Sequence, residues 1–255
     1  MVCFPVQEEF VMHRFYADPS KSDEHLFYLD AGDACHASRV LRMVPGDQAE
    51  VFFGNCRYLA ELDSFTENSI LFRPLRELPS TEPGLSVTLF QGLPKSDKMD
   101  WIVQKAVELG AVRIVPLLLS RCVVRPDAKD LEKKRERWQK IAREAGKQSG
   151  RCVIPDVYAP ISAIQAAALF SDCSRVVVPW EQCGQGGPVA FVRRNPSLES
   201  LGIIIGPEGG ISEEEIQYFT DLGCEPVTLG KRILRTETAG LAALSVFFGL
   251  YGEME

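Results

Sequence analysis

No stretch of this chain stays apolar for the roughly 20 residues that a membrane-spanning helix requires. Its first ten residues, MVCFPVQEEF, carry acids where a secretory leader would carry bases, so a cytoplasmic protein is expected. Histidine is scarce. His13, His25 and His36 are too scattered for a zinc site or a catalytic triad and suit surface or capping positions, and no metal is expected. The eight cysteines (Cys3, Cys35, Cys56, Cys122, Cys152, Cys173, Cys183 and Cys224) include no C-x-x-C pair, which reads as reduced structural thiols. Neither G-x-x-x-x-G-K-[ST] nor G-x-G-x-x-G occurs, and the cluster CGQGGPV (183–189) is read as a flexible loop. A positive surplus is also missing: the net charge of −7 argues against a generic polyanion binder, so any nucleic-acid contact has to rest on local charge.

The 255 residues, 45% of them hydrophobic, suffice for one large or two ordinary globular domains. Up to residue 78 the chain reads as short strands: FYL near 27, AEVFFG at 49–54, the YLAELDSF alternation at 58–65 and SILFRPL at 69–75. This predicts a small β-rich domain over 1–78. The segment LPSTEPG has no apolar periodicity, and 79–84 is read as a linker. From 85 to 255 strands alternate with helices: LSVTLFQGL, a helix over 97–109, VRIVPLLL, a basic helix over 130–146, VIPDVY, a helix in ISAIQAAALF, then RVVVP, GIIIG, a helix in SEEEIQYFTDLG, PVTLG and a final helix from Thr236. Such alternation predicts an α/β fold with a mostly parallel sheet covered on both faces.

Two loops in the last quarter carry the strongest signal. LGIIIGPEGGISEEEI (201–216) and LGKRILRTETAGLAAL (229–244) each begin where an apolar run stops and end where a helix pattern starts. That places both at the carboxyl ends of strands, where open α/β sheets bind ligands. Gly206, Gly209 and Gly210 are read as positions of positive φ or close backbone approach, and Ser212 with Glu215 as a capping box. Arg235, Thr236 and Glu237 are polar residues in an apolar neighbourhood, hard to justify as packing. KSDKMDW (95–101) opens a helix directly after a strand, with Lys95 and Lys98 at its mouth, and reads either as an anion site or as a solvated first turn. From Lys129 to Arg151 nine bases face four acids, a local +5 that leaves −12 for the remainder; this reads as a solvated helix face or as a nucleic-acid contact.

With these residues in hand, the chain resembles the SPOUT class of S-adenosylmethionine-dependent methyltransferases, and within it the RsmE family, which methylates N3 of one uridine in bacterial 16S rRNA. The resemblance runs nearly end to end. It is carried by HRFY (13–16), HASRVLRMVPGD (36–47), GLPKSDKMDWIVQKAVELG (92–110), SRCVVR (120–125), RWQKIAREAGKQSGR (137–151), IGPEGG and LGKRILRTETA. Local departures are Lys147, where relatives usually have an acid, and Trp180, where a smaller or acidic residue is expected.

The resemblance implies an N-terminal PUA-like β-barrel domain, a trefoil-knotted C-terminal domain and a homodimer formed around the last helix, whose AGLAALSVFFGLY run is apolar nearly all round. It implies a cofactor slot at Pro179, Ile204, Ile205, Gly206, Gly209, Gly210, Leu229, Gly230, Ile233 and Leu234, with Glu208 and Thr236 near the methionine part of S-adenosylmethionine. Attack by uracil N3 requires stabilisation of negative charge and loss of a proton. Arg235 is the candidate for the first role; Glu237 is read either as the base or as an acid complementing the helix dipole. Candidate contacts to the 16S rRNA of the small ribosomal subunit are Arg14, Arg39, Arg42, Lys95, Lys98, Arg121 and Arg151. Two alternatives stand beside this reading: a SPOUT ribose 2′-O-methyltransferase, expected to carry an asparagine motif where this chain has ILRTETA, and a non-catalytic RNA-binding module.

Overall fold

The computed structural model describes residues 12–254, except 68, 126 and 185; Cys3 and the acidic N-terminal segment lie outside the described residues. The chain divides into two units, Met1–Thr81 and Glu82–Glu255.

In the first unit, β1 (Arg14–Tyr16), β2 (Phe27–Tyr28), α1 (Ala31–Cys35), β3 (Gln48–Phe53), β4 (Cys56–Phe65) and β5 (Ile70–Leu78) follow in sequence, with a π-helical turn at His36–Val40. The sheet order is β1-β3-β4-β5-β2. β1 runs parallel to β3 and the other pairs are antiparallel. Gly54 and Asn55, at φ +57 and +66, make the two-residue turn that pairs Phe53 with Cys56. The two edges of the sheet meet through an antiparallel bridge between Ala17 and Leu29. Alternate residues therefore share one interior, where Phe15, Phe27, Leu62, Ile70 and Phe72 are buried.

The second unit continues with β6 (Ser86–Gly92), α2 (Lys98–Leu109), β7 (Arg113–Leu118), α3 (Ala128–Ser149), β8 (Asp156–Val157), β9 (Ile161–Ser162), α4 (Ala163–Phe170), β10 (Arg175–Pro179), α5 (Pro188–Arg194), β11 (Ser200–Ile205), α6 (Glu213–Asp221), β12 (Glu225–Val227) and α7 (Thr236–Leu250). Its sheet runs β12-β10-β11-β6-β7-β8, with β9 also on β7, and every pairing is parallel. The predicted α/β sheet is thus present, and alternation along β6 explains its two covers. Phe90 meets Phe170 of α4, which meets Phe219 of α6. Gln91 and Leu89 point the other way, to where Gly240 of α7 packs.

Helix α5 has no counterpart in the sequence reading, which ran from RVVVP directly to GIIIG. Two parallel neighbours need a crossover, and seven residues opened by Gly187 and Pro188 supply it. The linker reading also needs amendment. Glu82 accepts from the amides of Cys152 and Val153, and the amides of Gly84 and Leu85 donate to the Glu253 carboxylate at 2.9 and 2.8 Å. The end of that segment is fastened to the second unit.

Candidate active site

Strands β12, β10, β11 and β6 are neighbours, so the loops that follow them open at one edge of the sheet. A cavity of about 430 Å³ lies among three of these loops, with a smaller one of about 110 Å³ beside it. The two share Pro179, Glu181, Ile233, Leu234 and Ala239.

Close packing fixes the GPEGG loop. A Cβ on Gly92, at the end of β6, would lie 2.5 Å from the Pro207 nitrogen. One on Gly206 would meet Ile211 Cγ1 at 2.9 Å, and one on Gly209 would meet Arg121 Cβ at 2.9 Å. Gly210 alone of the loop's three glycines has positive φ, +73. The glycines therefore serve two needs, space at Gly206 and Gly209 and a left-handed backbone at Gly210. The capping box read from the sequence forms: Ser212 Oγ accepts from the Glu215 amide, and Glu215 accepts from the Ser212 amide. Glu215 also accepts from the Ser120 amide at 2.7 Å, bringing the SRCVVR segment beside the loop.

A buried polar chain ties three elements together. Gln91 Nε2 donates to Thr236 Oγ1 at 2.8 Å, and Thr236 Oγ1 donates to the Gly206 carbonyl at 2.6 Å. Gln91 is wholly buried and Thr236 nearly so. Such bonds, shielded from water, hold the end of β6, the GPEGG loop and the start of α7 in one arrangement.

The charged groups form a second tie. Lys98 Nζ lies 3.1 Å from both Glu208 Oε1 and Glu237 Oε2, and Glu208 also accepts from the Lys95 amide at 3.1 Å. Burial alone would push both carboxyls up. For Glu208 its own amide, the Lys95 amide and Lys98 outweigh that; for Glu237 its own amide, Lys98 and the charge of Arg235 do, and both lie below the usual carboxylate range. The Lys98 ammonium is held above its usual value, first by Glu237 and then by Glu208.

Of the residues expected at the cofactor, Pro179, Ile205, Gly206, Glu208, Gly209, Gly210, Leu234 and Thr236 line the larger cavity, and Leu229 and Gly230 the smaller. Ile204 does not. It is wholly buried in the core, because alternation along β11 turns it away from Ile205. Ile233 stands at the rim of both cavities and is 87% exposed. Arg235 lines the larger cavity and is the one cation there, whereas Glu237 is absent from its wall and is paired with Lys98.

The expected RNA contacts separate further. Arg39 and Arg42 are exposed in the first unit, and Lys95 and Arg121 in the second, with Arg121 donating to the Gly209 carbonyl. One expectation is corrected by burial, and two further residues are found in ion pairs. Arg151 is 3% exposed; it pairs with Glu82 and donates to the carbonyls of Val107 and Ala111. Lys98 is engaged by two carboxylates, and Arg14 shares Glu50 with Arg57. Sequence reasoning missed Gln91, Gly92 and Glu181. A glutamine inside the apolar run SVTLFQG was the available signal for the first; Glu181 carried none.

This geometry, a glycine-walled cavity at adjoining parallel strand ends, defines a class. Residues 81–248 match the family described as RNA methyltransferase domain. The chain is 36% identical to the ribosomal RNA small subunit methyltransferase E of Bacillus subtilis, covering 92% of this chain and 95% of that one. It superimposes with a TM-score of 0.81 on the crystal structure of a ribosomal RNA small subunit methyltransferase E from Neisseria gonorrhoeae bound to S-adenosylmethionine, at 33% identity over 94% of this chain and 98% of that one. A Legionella pneumophila methyltransferase in complex with S-adenosylmethionine gives 0.78 at 31% identity, covering 93% and 97%. The chain belongs to the ribosomal RNA small subunit methyltransferase E family.

Proposed function

We propose that this protein transfers a methyl group from S-adenosylmethionine to N3 of a uridine in the 16S rRNA of the small ribosomal subunit. The observation that carries the reading is the joining of the glycine-walled cavity to Arg235, the one cation in its lining. The residues fit the cofactor. At about 430 Å³ the cavity is of small-molecule size, a Cβ on Gly206 or Gly209 would collide with its wall, and Glu181 and Glu208 suit a ligand bearing sulfonium and ammonium charges. Pro179, Ile205, Gly206, Gly209, Gly210 and Leu234 would hold it, with Leu229 and Gly230 at the adjoining space. When bound, S-adenosylmethionine supplies an electrophilic methyl on a positively charged sulfur.

Arg235 would meet the negative charge that spreads over uracil O2, N3 and O4 as N3 loses its proton. A guanidinium is permanently charged and can donate to two acceptors at once. Glu237, tied to Lys98 and off the wall, acts here as an anchor and not as the base. That Glu181 is exposed, lines both cavities and has no ion pair among the described residues supports it, beside its role toward the cofactor, as the carboxylate that takes the N3 proton. Thr236 and Gln91 keep the loops in register. The PUA-like barrel and the knot belong to the same reading, supported by the meeting sheet edges at Ala17 and Leu29 and by the tight pass of Pro207 against Gly92. Support for a homodimer comes from the outer face of α7, where Val246 and Leu250 are 41% and 38% exposed.

Arg235→Lys keeps the charge but loses the planar fork. Turnover is expected to fall by about 10²–10³, the range for directed donors to a developing anion, with cofactor affinity within a few-fold. Nucleoside analysis of rRNA from cells lacking the protein, complemented with each variant, is the test. Full N3-methyluridine with Arg235→Ala would remove the arginine from the mechanism, and a 2′-O-methylated product would replace the reaction.

A further inference from the structure

The loop from Thr228 to Arg235 carries more than the cofactor reading uses. Ile233 is the most exposed large hydrophobic residue among those described, at 87%. It is flanked by Lys231 and Arg232 on one side and Arg235 on the other, all exposed. Among the described residues none of these three side chains is held by a carboxylate, and the loop itself contains no acid. In a chain of net charge −7 this is a local +3 at the mouth of the cavity, of which Lys231 and Arg232 have no part in the reading above.

The side-chain types matter. A β-branched residue has little χ1 freedom, so an exposed isoleucine remains a stiff projection where a leucine or lysine could fold back. Stiff apolar side chains beside phosphate-seeking cations are what nucleic-acid binders insert between bases. A stacked uracil cannot reach a cavity walled by protein unless it leaves its stack, and the gap it leaves is apolar on both sides.

We propose that Ile233 is a wedge that enters the RNA stack when the target base swings out, and that Lys231 and Arg232 grip the flanking phosphates. This rests on the RNA-methylating reading above. It makes the loop a two-sided element, with its backbone against the cofactor cavity and its side chains on the substrate.

The test uses the full chain, S-adenosylmethionine, and two synthetic rRNA substrates carrying the mapped target uridine: a hairpin with 2-aminopurine beside it, and the same sequence as an unstructured single strand. Wild type should methylate both and raise the 2-aminopurine fluorescence of the hairpin; failure of wild type on both RNAs and on small ribosomal subunits from cells lacking the protein would sink the function itself and not the wedge. Ile233→Ser is expected to slow hairpin methylation at least tenfold and to abolish the fluorescence rise. Its defect on the single strand should be less than threefold, and its calorimetric affinity for S-adenosylmethionine within twofold of wild type. Ile233→Val should retain most hairpin activity. Lys231→Gln with Arg232→Gln should flatten the dependence of log affinity on log salt by about 0.7–0.9 per lost phosphate contact. The wedge is overturned by equal defects on hairpin and single strand, by a tenfold loss of cofactor affinity, which would make Ile233 a cover for that ligand, or by conversion of a sedimenting dimer to monomer, which would make its occupant a second copy.

Discussion

Removing the carboxylate of Glu82 should destabilise the second unit far more than its place in a proline- and serine-rich segment suggests. Arg151 has 4% of its side chain exposed, and its Nε and terminal nitrogen both reach Glu82 Oε2, at 2.8 and 2.6 Å. Its other terminal nitrogen donates to the Val107 and Ala111 carbonyls at 2.9 and 3.0 Å. Glu82 also accepts from the Cys152 amide at 2.6 Å. Glu82→Ala would remove the carboxylate that the buried guanidinium faces and the acceptor of the Cys152 and Val153 amides. Breaking one side of a buried pair costs about 3–5 kcal/mol. At roughly 2–4 °C per kcal/mol for a domain of this size, the thermal midpoint should drop by about 6–20 °C.

Arg151→Met should destabilise by less, because it removes the charge together with its partner's need for one only in part, and Glu82 keeps its backbone donors. Circular dichroism melts of both variants read the stability. Binding to an rRNA fragment at several salt concentrations reads the other half of the argument. If Arg151 is internal, the salt slope is unchanged in folded Arg151→Met; a phosphate contact would reduce it by close to one unit. Glu82→Ala melting within a degree of wild type, or a lowered slope with unchanged stability, would refute the structural role.

Gly92→Ala puts a methyl group into the Pro207 backbone, so cofactor affinity should fall more than tenfold, about 1.4 kcal/mol; normal calorimetric titration of a folded variant would disprove that contact's importance. Gly209→Val should weaken binding similarly, by displacing Arg121 and not by entering the ligand's space. Burial raises the Cys122 and Cys173 thiols and, with Cys173 nearby, pushes Cys224 up to about 12, whereas Cys35 is exposed. Peptide mapping after brief alkylation near pH 8 should therefore find Cys35 modified and those three protected until the protein is unfolded. Glu208 and Glu237 are depressed below 4.5, so their pairing with Lys98 contributes fully above that pH and is lost as pH falls through their folded values. Thermal midpoints should decline on acidification below about pH 4.5, and Lys98→Met should shrink that decline; an identical acid slope in the variant would show that the pairing contributes nothing.

What the sequence made legible follows from what repeats locally. Strand and helix alternation, the Ser212 capping box and the placement of two glycine-bearing loops at strand ends are short-range patterns, and the structure forms them. Helix α5 escaped because seven residues give less than two full turns of periodicity. Ile204 and Ile205 could not be told apart by composition; only the pleat of β11 sends one to the core and the other to the cavity. The partners of Lys98 lie 110 and 139 positions away along the chain, and those of Arg14 and Arg151 are likewise remote, so nothing in their neighbours announced that these charges were spent.

That distinction between spent and unspent charge is what reconciles the acidic whole with an RNA substrate. Arg151 neutralises a carboxylate inside the protein, and Lys98 and Arg14, each about a third exposed, already face carboxylates of the fold. Arg137 is likewise engaged by Asp100, and Arg135 by Glu132, along α3. The cations left toward solvent without an ion pair among the described residues include Lys129, Lys133 and Lys140 on α3, Arg39 and Arg42 in the first unit, and Lys95, Arg121, Lys231, Arg232 and Arg235 in the second. Acids paired within the fold repel phosphate less than their number implies, because the field of each is cancelled a few ångströms away. A net charge of −7 therefore says little about the site, because the unpaired cations that a polyanion could meet are set by positions that only the fold reveals.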